Sequence, residues 1–361
     1  MIRRRLGLLV LMIATMLAPG LALAQSQVRD FEIASKAFDG NKMGISAQRR
    51  VRVYLPDGYE AGKRRYPVIY YLHNVFEDER AAFAEHDFQG LLDLGIKAGV
   101  VPPVIVVAAD FNTPLGGSLY ANSPVTGRWR DFMVQDLVPW TDGHFRTLAT
   151  RDSRGLAGDR MGGHGAIAFG MRHPDVFGAI YALHPVGTGL GLQTMASRPN
   201  WDLLWSAKSL DDLKGDPFSQ LFTAIYQAHL PNPGKPPLYA DLPNRKVDGR
   251  LVTDMALTAK LQDGFLLDRS VGRYADNLKT LRGFKFDWGR NDPNIDHVVS
   301  NQAFSRLLIE YGVPHEAEEY VGGWGDRTWG ETGRVYTDLL PFFARTLVFE
   351  ENQGDRRPPS G

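Results

Sequence analysis

The 361-residue chain has no cysteine, which rules out disulfide cross-links and a lipid-modified cysteine as a membrane anchor. Net charge is missing too: 41 basic residues balance 41 acidic ones, so no bulk field draws the chain to nucleic acid or to an anionic membrane. Long apolar runs are scarce. The one that stands out, Leu6 to about Leu17, follows Arg3-Arg4-Arg5 and precedes Ala22-Leu23-Ala24. It is too short to span a bilayer and reads as a signal peptide over residues 1–24, cleaved at the A-x-A site. The expectation is an exported protein, periplasmic or secreted, with no membrane anchor after cleavage. Its loss removes three positive charges and no negative ones, leaving net −3. There is no internal repeat. Residues 25–349 suit one large α/β domain, and the polar stretch 350–361 is expected to be disordered.

Apolar, β-branched runs predict strands at Val51–Leu55, Pro67–Leu72, Val104–Ala109, Gly155–Gly158, Ala179–His184, Phe284–Trp288 and Glu316–Val321. Helical patterns fall between them, near 81–98, 130–144, 163–173, 298–311 and 333–347. This alternation argues a mostly parallel sheet with helices on both faces, where ligand chemistry gathers at the carboxyl ends of the strands. Residues 187–265 break the alternation. They carry Trp201, Trp205, Phe218, Phe222 and Tyr226, too apolar a segment for a loop, and are expected to form a helical cap.

The most informative stretch is Gly158-Asp159-Arg160-Met161-Gly162-Gly163-His164-Gly165. A short apolar strand precedes it and a helix follows, the context in which Gly-x-Ser-x-Gly lifts a nucleophilic serine above an α/β-hydrolase sheet. The serine is what is lacking. Arginine, always protonated and a donor only, cannot attack an acyl carbon.

The chain resembles the esterase D-like α/β-hydrolases, a family that includes feruloyl esterases and the antigen 85 mycolyltransferases. The resemblance covers about residues 46–348. Tyr70-Tyr71-Leu72-His73, residues 121–127 (ANSPVTG), the elbow, His173-Pro174-Asp175-Val176-Phe177, Gly289-Arg290-Asn291-Asp292 and Tyr320-Val321-Gly322-Gly323 carry it. It implies an α/β-hydrolase fold and a triad of serine, acid and histidine. Asp292 matches the acid, whereas Arg160 stands for the serine and Trp324 for the histidine. Asn74, in His73-Asn74, replaces the usual glycine, and His184, in His184-Pro185, the usual serine.

No substitute triad is evident. His315 precedes the eighth strand, at its wrong end; His297 could reach the pocket or simply start a helix; His164 could face the pocket or pack under the cap. Ser118 and Ser123 have no obvious base. Residues 292–296 imitate the opening of a calcium loop, but its sixth position is His297 and its twelfth Ala303, so no metal site is expected. The glycines at 187–191 lack dinucleotide spacing, so no cofactor is expected either. Two roles remain open for Arg160: an ion pair with Asp292 that seals a dead site, or, with the old oxyanion amides, a grip on a ligand's anionic group. His73, Asn74, Met161, His164 and His184 are the further candidate ligand contacts. The expected function is a catalytically degenerate esterase relative that binds a small acyl, aryl or glycosidic ligand or a protein partner. The alternatives are an ester hydrolase or acyltransferase with a non-standard nucleophile, and a structural envelope protein.

Overall fold

The computed structural model describes residues 25–190 and 198–350; the expected signal peptide and nearly all of the expected tail lie outside them. Eight strands form the central sheet: β1 Gln27–Ala34, β2 Gln48–Leu55, β3 Val68–Leu72, β4 Ile105–Ala109, β5 Arg154–Asp159, β6 Ala179–Leu183, β7 Gly283–Gly289 and β8 Glu316–Tyr320. Their order is β1-β2-β4-β3-β5-β6-β7-β8. β1 and β2 run antiparallel, as do β2 and β4; every pairing from β4 to β8 is parallel.

Strand alternation divides the core into two layers. Tyr70, Leu72, Leu156, Ile180, Ala182 and Phe286 point to one face, which is covered by the helical segment 129–144 and by helices Met161–Arg172 (α1), Asp268–Lys279 (α2) and Ile295–Glu310 (α3). Ile69, Tyr71, Ala157, Tyr181 and Leu183 point to the other, beneath Phe88–Lys97 and the segment 335–346. The expected run 81–98 is two helices, Ala81–Ala84 and Phe88–Lys97, parted where Asp87 turns left-handed at φ 49° and caps the second through Gly90 N–H.

Beyond β6 the chain forms helices Trp201–Ser206, Pro217–His229 and Met255–Phe265, with a hairpin of Asn244–Val247 and Arg250–Thr253. These helices share an apolar cluster of their own, including Leu204, Phe222, Tyr226 and Leu261, joined by Val75, Leu115 and Met161 from the main domain. Met161 thus fastens the elbow to the insertion. Among the described residues no helix is long and apolar enough to cross a membrane.

Candidate active site

β5 ends at Asp159 and α1 begins at Met161, so Arg160 alone makes the turn, at φ 52° and ψ −104°. A non-glycine residue in this region costs about 1–3 kcal/mol, and it persists only where its surroundings over-determine it. Here the Arg160 N–H donates to the Leu183 carbonyl at 2.9 Å. A Cβ at Gly162 would stand 1.9 Å from the Leu72 carbonyl oxygen, and one at Gly158 2.4 Å from the Gly162 carbonyl. Close approach of strand and helix therefore demands both glycines. The strained turn of a nucleophile elbow is intact, with arginine at its apex.

The Arg160 guanidinium is already partnered. Its Nη1 lies 3.1 Å from Asp159 Oδ2 and 3.7 Å from Glu77 Oε1, and its Cζ lies 5.0 Å from the Trp324 ring centre. Glu77 also accepts from the Asn74 N–H at 3.3 Å, so an amide of the loop after β3 is spent internally. Asp159 is buried and its Oδ1 has no partner. Burial pushes its carboxyl up to about 6, against the pull of Arg160 and with the charge of Glu77 adding to the rise.

The expected ion pair between Arg160 and Asp292 does not form. Both His184 Nε2 and His297 Nδ1 lie 2.8 Å from Asp292 Oδ2, and the Asn294 N–H donates to Oδ1 at 2.7 Å. With three donors on a fully buried Asp292 side chain, Arg160 pairs instead with the carboxylate next to it in sequence. Burial would raise the Asp292 carboxyl, but these hydrogen bonds outweigh it and hold the group well below the usual carboxylate range.

The two rings donate from different nitrogens. The Asn294 side-chain amide lies 3.0 Å from His297 Nε2, which must accept, so Nδ1–H donates to Asp292. The Gly289 N–H faces His184 Nδ1 at 3.3 Å, which leaves His184 to donate through Nε2. Fully buried, His184 has its pKa lowered by desolvation despite the neighbouring carboxylate. These three ligand-type atoms lie within 4.8 Å of one another, a donor set that suits a divalent transition metal. Each ring, however, spends on Asp292 the atom an ion would need, and the Gly289 N–H favours a proton on His184 Nε2. We assign no metal to the group.

The remaining candidates divide. Trp324 bridges the two clusters, its ring centre 5.2 Å from that of His297 and 6.3 Å from that of His184. His73 is buried as a structural residue, accepting from the Phe111 N–H at 3.0 Å and donating to the Asn74 carbonyl at 2.7 Å. His164 packs under the cap, stacked on Phe265 with Nδ1 3.0 Å from the Val186 carbonyl. Ser123 donates to the Gln227 carbonyl at 2.6 Å, and Ser118 is buried. His315 is held by Ser305 and the Val313 carbonyl at the far end of β8. Sequence reasoning missed Glu77 and Asp159. The second was legible, since a carboxylate adjacent to an arginine needs no long-range contact to pair with it.

An eight-stranded sheet in this order, with a strained elbow after β5 and an acid after β7, defines an α/β-hydrolase. A family model described as "Putative esterase" matches residues 43–221, and the chain belongs to this esterase family. It is 32% identical over 278 residues to Esterase Rv1288 of Mycobacterium tuberculosis, covering 76% of this chain and 52% of that protein. The chain thus spans about half the length of the curated relative. An endo-1,4-beta-xylanase/feruloyl esterase of Xylanibacter ruminicola is 31% identical over 135 residues, 35% of this chain and 18% of that protein. Among solved structures, a ferulic acid esterase superposes with TM-score 0.62 at 19% identity, covering 90% of this chain and 99% of that one. An S-formylglutathione hydrolase of Staphylococcus aureus gives 0.54 at 14%, covering 88% and 98%. At such identities these two structures speak for the fold.

Proposed function

We propose that this chain is an exported esterase-family protein that does not perform serine acyl transfer and instead binds an aryl-bearing small molecule at the mouth of the former active site. The contact between Arg160 and Trp324 carries the reading: the two positions that would hold nucleophile and base are occupied by side chains packed on each other. Acyl transfer needs a nucleophile within hydrogen-bond reach of its base, and arginine and tryptophan supply neither. The rim supports binding. Trp324, beside Arg160, is 44% exposed, so aromatic surface open to solvent adjoins the guanidinium. The name of the similar feruloyl esterase suggests the ligand class, a hydroxycinnamoyl group. Export rests on the composition of residues 1–24 and is checked by the N-terminus of the mature protein.

One observation favours a second reading, hydrolysis by a directly activated water. Asp292 and His297 form an acid–imidazole pair with the proton on the correct nitrogen for a general base. The Asn294 amide occupies the nitrogen that would take the substrate's proton, so binding without turnover remains the conclusion.

The test is a pair of assays on the mature protein. Ferulate and methyl ferulate should quench tryptophan fluorescence saturably, an effect lost in Trp324→Leu, while methyl ferulate stays intact and a fluorophosphonate probe labels nothing. Stoichiometric labelling, or methyl ferulate cleavage that Arg160→Met abolishes, would overturn the proposal.

A further inference from the structure

A second pocket lies away from the elbow, between the C-terminal half of α1, the start of the segment 129–144 and the end of the insertion. Arg130, Arg172, His164, His229, Phe265 and Ser270 are among the residues lining it. Two of these, the arginines, carry positive charge, burial keeps the His164 and His229 rings neutral near pH 7, and none of the residues lining the pocket is acidic. Such a grouping is costly in an empty protein, because like charges repel and each must be desolvated.

The cations have few internal partners. Among the described residues the Arg130 guanidinium makes no hydrogen bond or ion pair; burial and the nearby Arg172 lower its pKa to about 10. Its sequence neighbour Asp131 is engaged elsewhere, by Arg128 at 3.2 Å and Asn122 at 2.7 Å. Arg172 spends one donor on the Ala168 carbonyl at 3.3 Å and rests 4.9 Å from the Tyr274 ring centre. His229 has a buried Nε2 with no partner. The position of Arg130 is unfavourable to it as well, since it sits in the first turn of a helical segment whose N-terminal amides already present positive potential. That potential, two guanidinium forks and an unsatisfied imidazole nitrogen call for the same thing, a compact anion with several oxygens.

We infer that this pocket binds a phosphate group, free or as a small phosphomonoester, clamped by Arg130 and Arg172 and hydrogen-bonded by His229. His164 complements it: its Nδ1 faces the Val186 carbonyl and so holds the proton, leaving Nε2 to accept from a phosphate hydroxyl. Leu119, Tyr120 and Leu266 line the same cavity and offer apolar surface to the organic part of an ester. The site is independent of the elbow chemistry, because neither Arg160 nor Asp292 lines it.

Titration calorimetry of the purified protein with inorganic phosphate and with phenyl phosphate, against chloride at matched ionic strength, tests this. At least one of the two should bind saturably. Arg130→Gln and Arg172→Gln should each weaken it tenfold or more, while Arg250→Gln on the exposed hairpin changes nothing. Tighter binding of phenyl phosphate would identify an esterified ligand, and binding of inorganic phosphate alone the free ion. Should either glutamine variant misfold, Arg130→Lys and Arg172→Lys keep the charge but lose the fork and should still weaken binding severalfold. Heats no larger than those of chloride for both ligands, or equal losses in Arg250→Gln, would overturn the inference.

Discussion

Arg160 and Trp324 touch, with the guanidinium carbon 5.0 Å from the indole ring centre. Gly325 makes this possible: at φ 79° it brings its backbone against the guanidinium so closely that a Cβ would stand 1.9 Å from Nη2. The residues expected at the nucleophile and base positions are thus in contact with each other. A cation over an indole at a partly exposed site is worth about 0.5–1 kcal/mol. A double-mutant cycle with Arg160→Met and Trp324→Leu should return a coupling energy of about that size. Strict additivity in chemical denaturation would show that the two side chains do not meet in solution.

Asp159 should make stability fall as pH rises. Its folded pKa of about 6 lies above the ordinary 3.8, so the native state holds the proton more tightly than the unfolded chain. The contribution is fully present below pH 4 and is lost by pH 6 to 7, a total of about 3 kcal/mol. Asp159→Asn should remove this slope from the stability profile. Arg160→Met, by taking away the neighbouring cation, should move the window to higher pH, and an unmoved window would mean that Arg160 does not act on Asp159.

His164 should act in the opposite direction. Burial lowers its pKa to about 4, from an ordinary 6.5, so the native state disfavours the proton. Stability should fall as pH drops from 6.5 toward 4, by about 3 kcal/mol in all. Comparing the pH dependence of urea unfolding in the parent and in His164→Gln isolates the term; identical slopes would place the ring in water rather than under the cap.

The elbow glycines and a helical glycine elsewhere should respond with opposite signs. Gly162→Ala would drive a methyl into the Leu72 carbonyl, and we expect insoluble protein or a loss above about 4 kcal/mol. Gly143 has nothing within 4 Å of its virtual Cβ and lies exposed in the helix Val138–His144. Gly143→Ala should gain about 0.5–1 kcal/mol in thermal unfolding.

The parallel strands β3, β4 and β6 were legible because, buried on both faces, they read as continuous apolar runs, whereas the edge strand β8 is largely exposed. β1 was not legible, since Gln27–Ala34 is an edge strand with alternating charged residues and draws its identity from pairing with β2. The elbow could be read from its glycines, with arginine at its apex. The partners of Arg160 could not all be read, because ion-pair choice depends on which carboxylate is already engaged, and Asp292 is held by two histidines 108 and 5 residues away in sequence. His184 looked like a pocket-wall substitution; in three dimensions it is a ligand of the retained acid.

That last relationship changes what it would take to restore a catalytic site. Arg160→Ser with Trp324→His returns the family's nucleophile and base, but an imidazole at 324 needs a lone pair of Asp292, and His184 and His297 both already occupy Oδ2. The double variant should therefore remain nearly silent toward p-nitrophenyl acetate. Adding His184→Ser, the residue usual in the family, frees one lone pair and opens space beside Tyr320. Because triad members act as a unit, activity should appear only when serine, histidine and an available carboxylate coexist, and the triple variant should exceed the double by about 100-fold or more, the scale of a restored general base. Glu77 is the remaining obstacle, since it holds the Asn74 N–H that an oxyanion would need. Glu77→Gln in the triple background should raise kcat further and leave KM little changed. A folded quadruple variant with no activity and no fluorophosphonate labelling would mean that Arg160 and Trp324 occupy a backbone no longer shaped for acyl transfer.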